Sequence, residues 1–169
     1  PGLKGVSLGN FLIKRVAERL RSEVPSLKRF CTLSPVPGFR KWLTKVRGVA
    51  VAEAIRTRHG DDLGRLDAAV RAGVLERDDE ALLTACAATY LARYGATTSG
   101  DPVARFHLEN GARLERVNLG ADVSDKGLAE SLGVMVNYLY DLAAVEANHQ
   151  RFMQGEVVCS RQVLSSVRR

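Results

Sequence analysis

The stretch "LKRFCTLSPVPGFRKWL", Leu27 to Leu43, changes from strand-like to helix-like sequence within a few residues. Its first part predicts a strand over Leu27–Ser34, in which Phe30, Thr32 and Ser34 share one face. The residues that follow begin a long Ala/Leu/Arg-rich region with helical spacing of its apolar side chains. The stretch therefore predicts one strand followed by helices.

The turn inside this stretch contains two prolines and a glycine. Pro35 restricts Ser34 to an extended backbone and removes one amide donor. Gly38 is expected to let the chain turn where other residues could not. Ser34 therefore has two interpretations, a strand-ending loop residue or a hydroxyl held in place for a ligand. These residues alone favour the first interpretation.

Composition bounds the classes of protein to consider. The chain has 169 residues with 46% hydrophobic content, which suits one globular domain or part of one. No apolar run approaches the ~20 residues of a membrane span, and no signal peptide is visible. Because the chain opens on Pro1, we expect that residues upstream of it are missing. The Arg/Ala-rich composition favours a bacterial source.

Cysteine and histidine spacing predicts no metal site. Three cysteines are far apart and form no CxxC pair, so a disulfide framework or zinc site is not expected and a reducing cytoplasm fits best. The three histidines also lack the spacing of metal ligands. The residues concerned are Cys31, Cys86, Cys159, His59, His107 and His149.

Positive charge is concentrated in the first part of the chain. Residues 1–50 contain 11 Lys and Arg against 2 Asp and Glu, a net charge of +9, and the remainder has −3. Such a basic region could serve nucleic acid, an acidic membrane surface or a phosphorylated ligand. Few aromatics (6%), no recognition motif and a net acidic remainder disfavour nucleic acid.

Spacing predicts the remaining elements. Asn10 is the predicted N-cap of a helix from about Phe11 to Glu23, with Leu12, Ile13, Val16 and Leu20 as its apolar stripe. Three or four helices are predicted between Phe39 and Gly95, with Asp78 or Asp79 capping the clearest one. The rest of the chain is predicted as a short helix "PVARFHLENG", strands in "ARLERVNLGADVS" and "GVMVNYLYDL", and a final helix "GEVVCSRQVLSSVRR".

Two features could bind or react with a ligand. The segment "KGVSLGN", Lys4–Asn10, has two glycines before a helix N-terminus, where free amides and the helix dipole attract anions. It is neither a P-loop nor a dinucleotide fingerprint, so an ordinary loop remains an equal alternative. His107 lies on the predicted short helix, where a lone histidine is more often structural. A hydroxyl and an imidazole can together bind a carboxylate and deliver a proton.

The order of these motifs resembles one enzyme family. The combination of "GVSLGNFLIKRV", "LSPVPGFRKWL", "PVARFHLENGARLERVN" and "ADVSDKGLAESLGVMVNYLY" closely resembles the C-terminal catalytic domain of the malonyl-CoA decarboxylases. The resemblance runs from Gly2 to Val167 and is weak through residues 46–95. It implies an α/β (α+β) fold like that of the N-acetyltransferase (GNAT) superfamily, a mixed sheet flanked by helices. Residues 39–95 would be a helical insertion, and the early strands and the N-terminal helical domain would lie outside this chain.

The resemblance also implies site residues and an activity. It implies splitting of malonyl-CoA into acetyl-CoA and CO2 without metal or prosthetic group, by a homo-oligomeric full-length parent that binds neither nucleic acid nor membrane. The family's catalytic serine corresponds to Ser34, its catalytic histidine to His107 and a tyrosine near the acyl group to Tyr140. Histidine suits a proton donor near neutral pH. The coenzyme A loop corresponds to Lys4, Gly5, Val6, Ser7, Leu8, Gly9 and Asn10.

Position 7 departs from the family pattern, because some members have an acidic residue where this chain has Ser7. Two other functions stay open. A CoA-dependent acyltransferase of the same fold would pass acetyl to an amine without decarboxylation. A non-enzymatic binding module, or a homologue that binds CoA without catalysis, would turn over neither substrate.

Overall fold

The computed structural model describes residues 8–27, 29–95, 97 and 100–167. Nine α-helices and three strands are found in these ranges. The strands are β1 (Phe30–Pro35), β2 (Arg113–Asn118) and β3 (Met135–Tyr140). The helices are α1 (Leu8–Glu23), α2 (Phe39–Lys45), α3 (Ala50–His59), α4 (Gly64–Ala72), α5 (Arg77–Thr89), α6 (Pro102–Glu109), α7 (Asp125–Ser131), α8 (Val145–Met153) and α9 (Arg161–Ser166). A π-helical turn, Tyr90–Tyr94, continues α5.

The described sheet is antiparallel, and β3 lies at its centre. β1 pairs with one side of β3, where Ser34 faces Val136, and β2 pairs with the other side. The register of β2 shifts between Leu114 and Arg116, which is the mark of a bulge. The segment Val158–Ser160 bonds to Leu114 through both backbone groups and forms one parallel bridge there. The α/β class is confirmed, and the likeness to the acetyltransferase superfamily stays a prediction.

One continuous core joins the inner face of the sheet to the helices. On β3 the inner face presents Val136, Tyr138 and Tyr140, as the alternation predicted, and all three are buried. The opposite face of β1 exposes Leu33 to 53%. The core continues into α2 and α5, so the helical region after β1 packs on the same face of the sheet. Its largest fully buried members include Phe39, Leu43, Leu83, Leu91, Leu108 and Leu114.

The start and the apolar face of α1 differ from the sequence prediction. The helix ends at Glu23 before Pro25, as predicted, but it begins at Leu8, so Asn10 lies inside its first turn and is not the N-cap. The predicted stripe does not enter the core, since Val16 is 55% exposed and Leu20 is 39% exposed. Ala17, one position away, is the buried residue. Spacing alone could not select this face, because it predicts an apolar side but not what packs on it.

Other predicted boundaries also shift. β1 begins three residues later than predicted and includes Pro35. The N-cap position of α5 is Glu76, not Asp78 or Asp79, and no side-chain bond caps that helix. The final helix is limited to Arg161–Ser166, because the residues before it run along β2. The helices α7 and α8 have no counterpart in the sequence prediction, since their short apolar patterns did not stand out from strand and loop.

Candidate active site

Ser34 and His107 meet on the inner face of the sheet, although they are 73 residues apart in the chain. Ser34 is the fifth residue of β1, and His107 is the sixth residue of α6. The distance from Ser34 Oγ to His107 Nε2 is 3.0 Å. Both side chains are buried, with 5% and 8% exposure. Ser34 therefore does not belong to an ordinary surface loop: its hydroxyl is held against an imidazole.

Tyr140 completes a chain of hydrogen bonds through His107. The Tyr140 hydroxyl lies 2.7 Å from His107 Nδ1, and Ser34 Oγ lies 3.0 Å from Thr32 Oγ1. The buried Tyr140 hydroxyl has one donor proton, which Nδ1 can accept. If Tyr140 donates to Nδ1, the imidazole has its proton on Nε2 and donates it toward Ser34. Ser34 can then donate to Thr32, so that every bond in the chain has one proton.

Burial keeps the His107 imidazole uncharged, and the ring of Tyr138 covers one of its faces. The Tyr138 ring stacks on His107 with 4.5 Å between ring centroids and an interplanar angle of 18°. Burial lowers the pKa of His107 to about 4, because the charged form loses its hydration. Burial likewise raises the pKa of Tyr140 above its ordinary value. His107 is therefore neutral at pH 7, which differs from the expectation of a histidine that titrates near neutrality.

The proline turn after Ser34 rests against the start of the helix that bears His107. Asp101, completely buried, is the N-cap of α6 and also accepts the backbone N–H of Gly38. The expectation for Gly38 was wrong in its reason: φ is −89° and ψ is −10°, which any residue adopts. A Cβ at Gly38 would lie 2.4 Å from the Tyr90 hydroxyl oxygen. Glycine is required there for close approach.

Sequence reasoning missed three residues around this pair. Thr32 was placed on the correct face of β1 but was given no role. Tyr138 was placed on the same face of β3 as Tyr140, and only the structure stacks it on His107. Asp101 was within reach of sequence rules, since an Asp before a first-turn proline is a typical helix cap. Its second bond, to Gly38, had no sequence signal.

The predicted coenzyme A loop falls largely outside the described residues. Lys4, Gly5, Val6 and Ser7 are outside them. Leu8, Gly9 and Asn10 form the first turn of α1, and their side chains are outside the description. The backbone N–H groups of a first helical turn have no partner within the helix. That position agrees with an anion-binding terminus, and the roles of the seven residues stay a prediction.

The other two histidines bond to partners outside the chain of Ser34, His107 and Tyr140. His59 bonds to Asp79, and His149 Nδ1 lies 2.6 Å from the carbonyl oxygen of Glu109. Among the residues that the structure describes, no group of three or more His, Cys, Asp and Glu side chains is arranged to hold a metal ion. Within the same residues, none of the helices combines the length and apolarity needed to cross a membrane.

A buried chain of hydroxyl, imidazole and hydroxyl groups lies within an α/β domain. These features define the class of protein: an α/β domain with a candidate acid–base site and without a nucleophile elbow. Comparison with known families then identifies the family within this class. The model of the malonyl-CoA decarboxylase C-terminal domain matches residues 1–169. The chain therefore belongs to the malonyl-CoA decarboxylase C-terminal domain family.

Relatives and solved structures agree with this family. The mitochondrial malonyl-CoA decarboxylases of Mus musculus and Anser anser anser are 38% and 35% identical over 98% of the chain. The crystal structure of malonyl-CoA decarboxylase from Cupriavidus metallidurans has a TM-score of 0.79 at 45% identity, and the chain covers 45% of that protein while 98% of the chain is matched. The corresponding structure from Rhodopseudomonas palustris has a TM-score of 0.72 at 37% identity, with 98% and 39% covered. The chain spans 37–38% of the length of the curated relatives.

Proposed function

We propose that this chain carries the catalytic site of a malonyl-CoA decarboxylase, which converts malonyl-CoA to acetyl-CoA and CO2. The observation that supports it most is the hydrogen-bonded chain from Ser34 through His107 to Tyr140, inside a domain of this family. This chain of groups can hold a carboxylate or thioester oxygen and can supply one proton. Those are the two tasks that loss of CO2 from a β-carboxy thioester requires.

The first task is to direct bond cleavage. When the bond between the carboxylate carbon and C2 breaks, CO2 leaves and the electron pair moves into the thioester as an enolate. The carboxylate must lie out of the thioester plane, so that the breaking bond overlaps the carbonyl π system. Ser34 is the proposed donor to the carboxylate or thioester oxygen. A fixed donor to a developing oxyanion is worth about 10²–10³ in rate in other enzymes.

The second task is to protonate C2. His107 is the proposed donor, through Nε2–H, which the Tyr140 bond leaves directed toward Ser34. Because burial lowers the pKa of His107, the donor is a neutral imidazole. Transfer from Nε2 to C2 is balanced when Nδ1 takes the proton of the Tyr140 hydroxyl. The negative charge of the enolate then lies on the Tyr140 oxygen until that oxygen takes a proton from solvent. Because Nδ1 gains a proton as Nε2 loses one, the imidazole stays neutral.

Substrate binding is proposed to involve the basic first part of the chain. The pyrophosphate of coenzyme A would bind at residues 4–10, where α1 begins, and the acyl group would reach Ser34 and His107. The positive charge of residues 1–50 supports a phosphorylated ligand. The homo-oligomeric state of the full-length protein, a cytoplasmic site and a bacterial source remain predictions, as curated relatives are mitochondrial and solved ones bacterial. No metal or prosthetic group is expected, and activity that survives treatment with a chelator would support this.

The test is CO2 release from malonyl-CoA by the full-length protein and its His107→Asn and Ser34→Ala variants. In deuterated water the wild type should form acetyl-CoA with one deuterium on the methyl carbon, since C2 takes its proton from a group in exchange with solvent. We expect His107→Asn to lower kcat about 10²–10⁴-fold, the contribution of a positioned general acid. His149→Asn, outside the site, is the matched control and should keep wild-type kcat.

Two results would contradict the proposal. Near-wild-type CO2 release by His107→Asn would remove the histidine from the reaction. Acetyl transfer from acetyl-CoA to an amine, without decarboxylation of malonyl-CoA, would favour the acyltransferase.

A further inference from the structure

Asp101 links the two chain segments that bear Ser34 and His107, two of the proposed catalytic residues. It stands at the N-cap of α6, where Oδ1 accepts the backbone N–H groups of Val103 and Ala104 at 3.0 Å each. Its exposure is 0%. This part of the arrangement is an ordinary helix cap, worth about 1 kcal/mol in other proteins. By itself it would explain why an aspartate precedes Pro102.

The second carboxylate oxygen of Asp101 accepts a bond that helix capping does not require. Asp101 Oδ2 accepts the backbone N–H of Gly38 at 3.0 Å, across 63 residues of sequence. Gly38 lies four residues after Ser34, at the end of the proline turn. One buried carboxylate therefore bonds at the same time to the turn that follows Ser34 and to the helix that carries His107.

The contact between turn and helix is tight. A Cβ at Gly38 would lie 3.4 Å from Asp101 Oδ2 as well as 2.4 Å from the Tyr90 hydroxyl oxygen. Pro35 and Pro37 restrict the backbone on the path from Ser34 to Gly38, so a displacement of Gly38 is passed on to Ser34. The backbone of α6 is rigid between the Asp101 cap and His107. Little freedom is left between the carboxylate and either catalytic side chain.

Three N–H donors on two oxygens match an ionised carboxylate, which only accepts hydrogen bonds. Charge-assisted bonds of this kind are stronger than neutral ones. Burial raises the pKa of Asp101, and the three backbone N–H groups oppose that rise. A buried carboxylate is costly unless both of its oxygens are hydrogen-bonded, and the bond that satisfies Oδ2 comes from the turn after Ser34 and not from α6.

We propose that Asp101 is a positioning residue that sets the separation of Ser34 and His107 by holding the proline turn against the N-terminus of α6. It does not touch the substrate. Its effect on catalysis rests on the proposed decarboxylase function, whereas its effect on the Ser34–His107 bond does not. A misplacement of about 1 Å by a remote substitution can cost about 10²-fold in rate.

The decisive variant is Asp101→Asn in the full-length protein. The amide oxygen can keep the two N–H groups of α6, so the helix remains capped. The amide NH₂ then takes the place of Oδ2 and meets the Gly38 N–H donor to donor. The substitution therefore removes the link to the turn selectively. Asp101→Ser is the second variant, since a serine caps a helix but is too short to reach Gly38.

Asp79→Asn is the matched control. Asp79 is also a buried acidic residue near a helix N-terminus, with 6% exposure, and it bonds to His59 and Arg58 away from the site. We expect Asp79→Asn to lower the stability of the protein while kcat stays within about twofold of wild type. Any loss that the two variants share is then a loss of stability, not of positioning.

Two readouts separate positioning from structure. For Asp101→Asn we expect kcat to fall about 10–100-fold with KM within about twofold, because the bond affects the reacting pair more than substrate binding. We also expect the ring ¹⁵N signals of His107, assigned by their loss in His107→Gln, to shift as the bond to Ser34 weakens. Asp79→Asn should leave those signals in place.

Several outcomes would overturn the proposal. One is equal kcat in Asp101→Asn and Asp79→Asn, and another is a loss carried by KM alone. Unchanged His107 ring signals in Asp101→Asn, or in Asp101→Ser if the first variant does not fold, would also overturn it. If the wild type does not decarboxylate malonyl-CoA, the proposed function fails, but the ring signals still decide whether Asp101 holds the pair together.

Discussion

Two histidines on helices, half-buried His59 and buried His107, have opposite surroundings in this molecule. His59, the last residue of α3, has its Nε2 at 2.9 Å from Asp79 Oδ1, which also lies 2.6 Å from Arg58 Nε. His107 has a hydroxyl at each ring nitrogen and an aromatic ring on its face. His59 is part of an ion network that joins α3 to α5, whereas the hydrogen bonds of His107 run only to uncharged groups.

The comparison shows how the partners of a histidine side chain suit it to a structural or to a chemical role. A carboxylate and a guanidinium beside His59 give it strong fixed partners, which suits a brace between helices. Hydroxyl partners can donate or accept, so protons can be exchanged along the chain through His107 without separating charge. The test with the largest expected effect is to remove the Tyr140 hydroxyl, which bonds to Nδ1 of His107.

Tyr140→Phe removes the proposed source of the Nδ1 proton and leaves the ring in place. We expect kcat for CO2 release to fall about 10²-fold, at the low end for general acid–base groups. KM should change little, because the hydroxyl bonds to His107 and not to coenzyme A. Steady-state kinetics of the full-length protein with malonyl-CoA measure both. A Tyr140→Phe protein with wild-type kcat would reduce Tyr140 to a packing residue.

The lowered pKa of His107 predicts a pH-dependent stability. The unfolded histidine has a pKa near 6.5 and the folded one about 4, so the unfolded state binds more protons between these values. This contribution is complete above pH 6.5 and is lost as the pH falls toward 4. From pH 8 to pH 5 the free energy of unfolding should fall by about 2 kcal/mol more in the wild type than in His107→Gln.

Denaturant titrations at each pH measure this difference. If the free energy of unfolding changes with pH in the same way in the wild type and in His107→Gln, His107 is not desolvated in the native state. The matched variant His59→Gln should keep the wild-type pH difference that arises from His107.

His59→Gln tests the other half of the comparison and has the smallest expected effect. Loss of the bond to buried Asp79 should cost about 1 kcal/mol of the free energy of unfolding, since Arg58 still pairs with that carboxylate. CO2 release should stay within about twofold of wild type. A large loss of kcat at unchanged stability would mean that α3 contributes to the site, contrary to the division drawn here.

Sequence reasoning predicted what lies within one element better than what joins two. The faces shared by Thr32 and Ser34 and by Tyr138 and Tyr140 follow from a period of 2 residues. The helix around His107 follows from the proline at its first turn and the Asn-Gly at its end. The resemblance to the family selected Ser34, His107 and Tyr140. Neither source contained the bonds among them, because distances between side chains depend on how three elements pack.

The wrong or incomplete predictions have similar physical causes. Asn10 has the residue type of an N-cap but lies within α1, since cap preference is weak against a longer helix. Gly38 was explained by backbone freedom, and the structure shows instead a steric need that comes from Tyr90 on another helix. Asp101 was not predicted: its place before Pro102 is typical of a helix cap, but its bond to Gly38 depends on a contact 63 residues away.

The central position of β3 has a consequence for the order in which the chain can assemble. β1 pairs only with β3 among the described strands, and Asn137 donates to the backbone oxygen of Thr32 from 105 residues away. During synthesis, the helices that follow β1 emerge and can pack before β3, its partner in the described sheet, has been made. Ser34 can therefore approach Tyr140 only once β3 has been made, and such distant pairings form slowly. A ribosome-bound fragment that ends before Met135 would lack the strand with which β1 pairs in the described sheet.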